Sequence, residues 1–135
     1  MATVNLTSDD FETTVLEPGI VLVDFWAEWC GPCKQFGPIF EDASNSNDDI
    51  TFAKVDTEDQ QALAGAAGIT SIPTLMAFRD GVLVFSQPGA LPAPALTQVI
   101  DAVRGLDMEQ VHADIAAQRA AAEAAPSASA APVAE

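Results

Sequence analysis

Positive charge is scarce in this chain. Its 135 residues hold 5 Lys and Arg against 20 Asp and Glu, a formal net charge of −15. Nucleic acids and anionic membrane surfaces are recognised by clustered cations, so neither is an expected partner. Cysteine is rarer still: two residues, too few for the disulfide-stapled core of a small secreted domain. A single histidine, His112, leaves a conventional Cys/His zinc site short of ligands, and no metal is expected. No apolar run reaches the roughly 20 residues that span a bilayer. The opening Met1-Ala2-Thr3-Val4-Asn5 has neither a basic segment nor an apolar signal core, which points to a cytoplasmic protein. Internal repeats are absent.

What is present suits one domain. Apolar residues make up 49% of the chain, enough for a single core even after allowing for the Ala-rich C-terminal end. Thr3 to Leu6 reads as a short edge strand, and Ser8-Asp9-Asp10 offers N-cap groups for a helix to about Leu16. After the turn Glu17-Pro18-Gly19, the nearly unbroken apolar run Ile20 to Trp26 suits a strand buried on both faces. A helix from about Cys30 to Ser44 follows, with a kink expected at Pro38 because proline removes the bond to the Lys34 carbonyl. Ile50 to Asp56 reads as a strand and Gln60 to Ala67 as a helix ended by Gly68. Thr74 to Phe78 and Val82 to Phe85 form a hairpin about Arg79-Asp80-Gly81. Gln87 to Ala90 reads as a loop and Ala93 to Val103 as a helix. The order βαβαβαββα predicts an α/β sandwich on a mixed sheet.

Cys30 and Cys33 stand three residues apart at the start of a predicted helix. That spacing puts both sulfurs on one side of the first turn, within reach of a disulfide. The free N–H groups and positive dipole of a helix N-terminus stabilise a thiolate at Cys30. Pro32 suits an early helical position. A thiolate of lowered pKa beside a resolving thiol is what thiol–disulfide exchange requires. Duller readings compete. A structural disulfide over so short a loop would stabilise by only about 2 kcal/mol. A zinc half-site lacks its second ligand pair, and haem attachment needs a histidine where Lys34 stands. Asp24 and Lys54 interrupt apolar strands. Position alone leaves each either buried or at a wet strand rim.

Trp29-Cys30-Gly31-Pro32-Cys33-Lys34, preceded by Val23-Asp24-Phe25-Trp26-Ala27, resembles the thioredoxin family. The likeness continues through Phe52-Ala53-Lys54-Val55-Asp56, Gly68-Ile69, Ser71-Ile72-Pro73-Thr74-Leu75, Phe78-Arg79-Asp80-Gly81 and Gly89-Ala90, about residues 3–104 in register. It implies the thioredoxin fold, a mixed central β-sheet flanked by helices. It implies further that Cys30 is the nucleophile, lying nearer solvent, and Cys33 the deeper, resolving thiol. Asp24 would be the buried acid beneath Cys33 that takes and returns its proton, and Lys54 the neighbour that tunes it. Ile72-Pro73 would be cis, although sequence alone favours trans. Trp29, Gly31, Pro32, Ile72, Pro73, Gly89 and Ala90 would frame the groove for an extended target segment.

The activity implied is general protein-disulfide reduction through a redox-active Cys30–Cys33 disulfide, with no bound cofactor. The partners implied are disulfide-containing proteins and an NADPH-dependent thioredoxin reductase, and the chain is expected to be a monomer. A redox-active co-chaperone or scaffold, binding clients through the groove and the C-terminal extension, is the alternative. A thiol oxidant would need an oxidising compartment. The chain departs from the family pattern at Gln35-Phe36-Gly37, at Pro88 before the groove glycine, in its acidity, and after Arg104. Residues 1–105 are read as the thioredoxin domain and 106–125 as an additional helix with Met108, Val111 and Ile115 at helical spacing. Residues 126–135, only Pro, Ser, Ala, Val and Glu, are read as a disordered tail.

Overall fold

In the computed structural model, residues 3–124 are described, so the expected tail at 126–135 lies outside the described residues. The chain divides into two compact units, Met1–Gly105 and Leu106–Glu135. The first carries β1 (Thr3–Asn5), α1 (Phe11–Val15), β2 (Ile20–Trp26), α2 (Gly31–Ser46), β3 (Ile50–Asp56), α3 (Gln61–Ala66), β4 (Thr74–Arg79), β5 (Val82–Pro88) and α4 (Ala93–Arg104). They build a mixed five-stranded sheet in the order β1-β3-β2-β4-β5. β1 and β2 both run parallel to β3, β4 is antiparallel to β2, and β5 is antiparallel to β4. The second unit carries α5 (Met108–Ala124), in which Met108, Val111 and Ile115 are half-buried and the other side chains with a described burial are exposed.

The central strand β2 is buried from Ile20 to Phe25 because both of its faces are covered. Side chains alternate across a strand, and the core divides accordingly. Ile20 and Leu22 meet Phe36 and Phe40 of α2, Phe52, Leu75, and Leu96, Ile100 and Val103 of α4. Val21, Val23 and Phe25 point the other way and pack with Val15, Ala53, Val55 and Met76, with Phe11 and Leu63 against them. Asp24 continues the row of Ile20 and Leu22, which puts it on the α2 side of the sheet at the end where β2 runs into the cysteines.

Two local expectations differ from the structure. Helix α1 starts at Phe11 with Asp10 as its N-cap residue, as expected, but Asp10 makes no side-chain cap. The Asp10 carboxylate accepts instead from the Thr7 backbone N–H at 2.7 Å, closing a turn before the helix. Helix α2 is as expected, running from Gly31 to Ser46 with Pro38 inside it. Strand β5 continues to Pro88, opposite Thr74, where a loop was expected. An edge strand needs no ladder donor on its open side, so proline is admissible there. The β4–β5 turn is as expected: Asp80 and Gly81 both have positive φ, 52° and 82°, the geometry of a tight two-residue hairpin.

The far end of the sheet is fastened by arginine. Arg79 Nη1 donates to the carbonyls of Val103 and Arg104, at 2.8 and 3.0 Å, and so satisfies acceptors that the end of α4 leaves free. Arg104 Nη2 donates to Asn47 and Asp49 at 2.9 and 2.7 Å, nearer solvent. Arg79→Ala is expected to lower stability by about 1–2 kcal/mol, since charge-assisted bonds to half-buried carbonyls are lost. Arg104→Ala should cost less than about 1 kcal/mol. Urea midpoints at unchanged slope would measure both, and equal losses would contradict the capping role.

Candidate active site

The site is built where β2 and β3 end and β4 begins. Thr57 ties the two parallel strands together, its N–H and Oγ1 both donating to the Trp26 carbonyl at 2.8 and 3.0 Å. The chain leaving β2 turns at once, with the Cys30 N–H on the Ala27 carbonyl at 3.2 Å. Cys30 is then the N-cap of α2, in extended backbone, and Gly31 and Pro32 open the helix. Proline fits there because the first helical N–H groups have no intrahelical acceptor.

Cys30 and Cys33 are joined as a disulfide, with Cα atoms 5.2 Å apart. The Cys33 backbone N–H donates to Cys30 Sγ at 3.2 Å. That donor belongs to the free first turn of α2, so a negative charge on Cys30 sulfur would meet a fixed N–H and the positive end of the helix. Cys30 Sγ also lies 3.7 Å from the Ile72 carbonyl oxygen. One expectation needs correction: Cys30 is not the more exposed cysteine, since each is 4% exposed, packed with Ala27, Trp26 and Ile72. Position in the helix distinguishes them. Cys30 caps it beside the Ile72 backbone, whereas Cys33 sits within its first turn among the residues that face the sheet.

Asp24 is 1% exposed, and neither carboxylate oxygen meets a hydrogen-bond partner among the described residues. Burial raises its pKa from 3.8 to about 7, against the smaller opposing pull of Lys54. Desolvation therefore outweighs the nearby positive charge. Lys54 is the register partner of Asp24 across the parallel β2–β3 ladder, which places the two side chains on one face. Its Nζ stands 4.8 Å over the Trp26 ring, a cation–π contact that draws it toward the mouth of the site. Both charged residues are thus inside the fold: Asp24 buried, Lys54 half-buried.

The other expected residues divide between two walls. Trp29 is 67% exposed and, with Ile72, lines a groove of about 340 Å³ whose remaining walls are Thr57, Ala64, Ile69, Thr70 and Ser71. Pro73 is buried, and the Ile72–Pro73 bond is cis. On the opposite side the Gly89 N–H donates to the Pro73 carbonyl at 2.8 Å, so Gly89 and Ala90 are tied to the same strand start. Gly89 has φ +105°, a conformation other residues adopt only with strain. Gly31 and Pro32 are exposed at the head of α2.

Glu58 escaped the sequence reading. Its Oε2 accepts from Trp29 Nε1 at 3.2 Å. Asp56 Oδ1 accepts from the backbone N–H groups of Glu58 and Asp59, at 3.0 and 3.3 Å, which fixes the turn that presents Glu58. An aspartate at a strand end signals such a turn. Nothing local signals a contact with a tryptophan 29 residues away.

A family description named Thioredoxin matches residues 2–102. "Putative thioredoxin 2" of Streptomyces coelicolor is 58% identical over 121 residues, 90% of either chain. That alignment is too long to fit within the first unit, so it takes in part of the extension. "Thioredoxin" of Bacillus subtilis is 39% identical over 102 residues, 75% of this chain and 97% of its own. The crystal structure of thioredoxin from Malassezia sympodialis superposes with a TM-score of 0.67 at 33% identity, over 75% of this chain and 93% of its own. With a linked Cys30–Cys33 pair at the head of α2 on this sheet, the chain belongs to the thioredoxin family and is a thiol–disulfide oxidoreductase.

Proposed function

We propose that this chain is a general protein-disulfide reductase, recycled by an NADPH-dependent thioredoxin reductase. The observation that carries the reading is Cys30 as N-cap, its sulfur held by the Cys33 N–H beside the Ile72 carbonyl. In the reduced form the Cys30 thiolate attacks one sulfur of a target disulfide. The new S–S bond links Cys30 to the target, and the other target sulfur leaves as a thiolate. Cys33 then gives its proton to Asp24, directly or through a water, and attacks Cys30 Sγ. The Cys30–Cys33 bond forms, the mixed bond breaks, and the second target sulfur leaves with the electron pair. An acid with a pKa of about 7 can accept and return that proton near neutral pH. Lys54 keeps that value from rising further. The groove residues Trp29, Gly31, Pro32, Ile72, Pro73, Gly89 and Ala90 hold the target backbone extended while the sulfurs exchange.

NADPH consumption coupled to insulin reduction, with a thioredoxin reductase present, tests the whole cycle. Insulin reduced no faster than by a free dithiol would defeat the proposal. The alternative, a co-chaperone working through the extension, draws on the length of the match to the Streptomyces relative. Deleting residues 106–135 decides between them. We expect kcat/KM for insulin to change by less than about twofold, because both cysteines, Asp24 and the groove lie in the first unit. A loss beyond about tenfold would place the functional boundary in the extension.

A further inference from the structure

The chain's five cations are Lys34, Lys54, Arg79, Arg104 and Arg119, and none of them lines the groove beside Cys30. Arg79 and Arg104 line a hollow at the opposite end of the sheet, with Gly19, Ile20 and Asp49. Lys54 is engaged over Trp26, Lys34 is exposed on α2, and Arg119 belongs to α5. The groove walls themselves are uncharged, and the side chains of Trp29, Ala64, Ile69 and Ile72 make them mainly apolar. Glu58 bridges two of these walls. It follows Thr57 directly in the chain and holds the Trp29 indole N–H at 3.2 Å. Its other oxygen has no partner among the described residues, and its side chain is exposed.

We infer that Glu58 is a specificity-determining residue: it holds Trp29 as a wall of the groove and selects target segments that carry a lysine or arginine beside an apolar residue next to their disulfide. The inference rests on the reductase reading. Two physical roles meet in one carboxylate. Oε2 restrains an indole that is otherwise two-thirds exposed, which preserves an apolar slot for a target side chain. Oε1 gives the mouth of that slot a negative charge with no lysine or arginine among its walls. An extended segment laid along Ile72, with its sulfur at Cys30, brings its neighbouring residues past this charge. A cation there pairs with Glu58, whereas an acidic residue is repelled and left without a partner.

The test uses the full chain, pre-reduced, and three synthetic peptides. Each peptide carries one disulfide and a flanking leucine, and they differ only in a neighbouring Lys, Ala or Glu. Stopped-flow rates should rank Lys above Ala above Glu, with about threefold between neighbours at low salt and a ratio that shrinks in 0.5 M NaCl. Glu58→Gln keeps an acceptor for the indole and removes the charge. It should move the two charged peptides in opposite directions, slower for Lys and faster for Glu, until the ranking collapses. Glu58→Ala removes both roles and should also raise KM for the Ala peptide. Equal rates for the three peptides, or a parallel change for Lys and Glu peptides in Glu58→Gln, would overturn the inference while leaving the reductase reading intact. No reduction of any peptide, or of insulin, would overturn that reading instead.

Discussion

Cys33→Ser is expected to stop turnover and to accumulate target proteins linked covalently to Cys30. Cys30→Ser should stop turnover and accumulate almost nothing. The asymmetry follows from the head of α2. Among the described residues, Cys30 alone of the two has a backbone N–H, that of Cys33, on its sulfur and a sulfur within 3.7 Å of the Ile72 carbonyl. A target segment pairing with the backbone at Ile72 therefore delivers its disulfide to Cys30. Cys33, within the first turn rather than at the cap, meets the incoming bond only after it has become a bond to Cys30. Because the two are equally shielded as whole residues, exposure does not explain the order and helix position does. Steady-state reduction should fall at least about 10³-fold in either variant, since a hydroxyl replaces the attacking or the resolving thiolate. Mass spectrometry of adducts trapped from a mixture with oxidised insulin separates them. Adducts predominantly on Cys33 of the Cys30→Ser protein would reverse the assignment.

The parts of this site that sequence made legible are those in which one short segment carries its own physics. Trp29 to Lys34 states a helix start with two thiols on one side, and the Ile20 to Trp26 run states a strand covered on both faces. Asp24 and Lys54 were visible as interruptions, but whether they were buried depended on which strands lie side by side. The ladder that pairs Asp24 with Lys54 also joins segments thirty residues apart, and it was the family likeness, not periodicity, that anticipated it. Glu58 remained invisible because its role comes from a tertiary contact to Trp29. The missing side-chain cap of α1 has a similar cause: the helix starts after Asp10, within the expected Ser8-Asp9-Asp10, but Asp10 spends its carboxylate on Thr7. Pro88 read as a loop residue because proline opposes strand interiors. An edge position removes that objection.

Asp24→Asn should make the protein more stable at neutral pH and slower in resolving its mixed disulfide. In the native state the carboxyl binds its proton at about 7, and as an ordinary exposed carboxyl at 3.8. The raised value means that the native state holds the proton more tightly than the unfolded chain does. Below pH 3.8 both states are protonated and Asp24 imposes no penalty. Between 3.8 and about 7 the unfolded chain ionises while the native acid stays neutral, so stability falls as pH rises. Above about 7 both are ionised and the loss levels off, at no more than about 4 kcal/mol for a gap of this size. An amide in the same place has no charge to desolvate, so a gain of about 2–4 kcal/mol is expected at pH 8 and little at pH 3.5. The chain has 19 other acids by subtraction from 20, so the useful quantity is the difference between the two proteins at each pH, in which their titrations cancel. Lys54→Met should carry the same loss to higher pH and make its plateau deeper in the otherwise native chain, because the charge that holds the acid down is gone. Decay of a pre-formed mixed disulfide, followed from pH 5 to 9, supplies the functional half. The native protein should accelerate as Asp24 ionises near 7, and Asp24→Asn should lack that step. Unchanged stability at pH 8 would remove the buried acid. A full gain in stability with unchanged decay would keep the buried acid and assign the Cys33 proton to another acceptor.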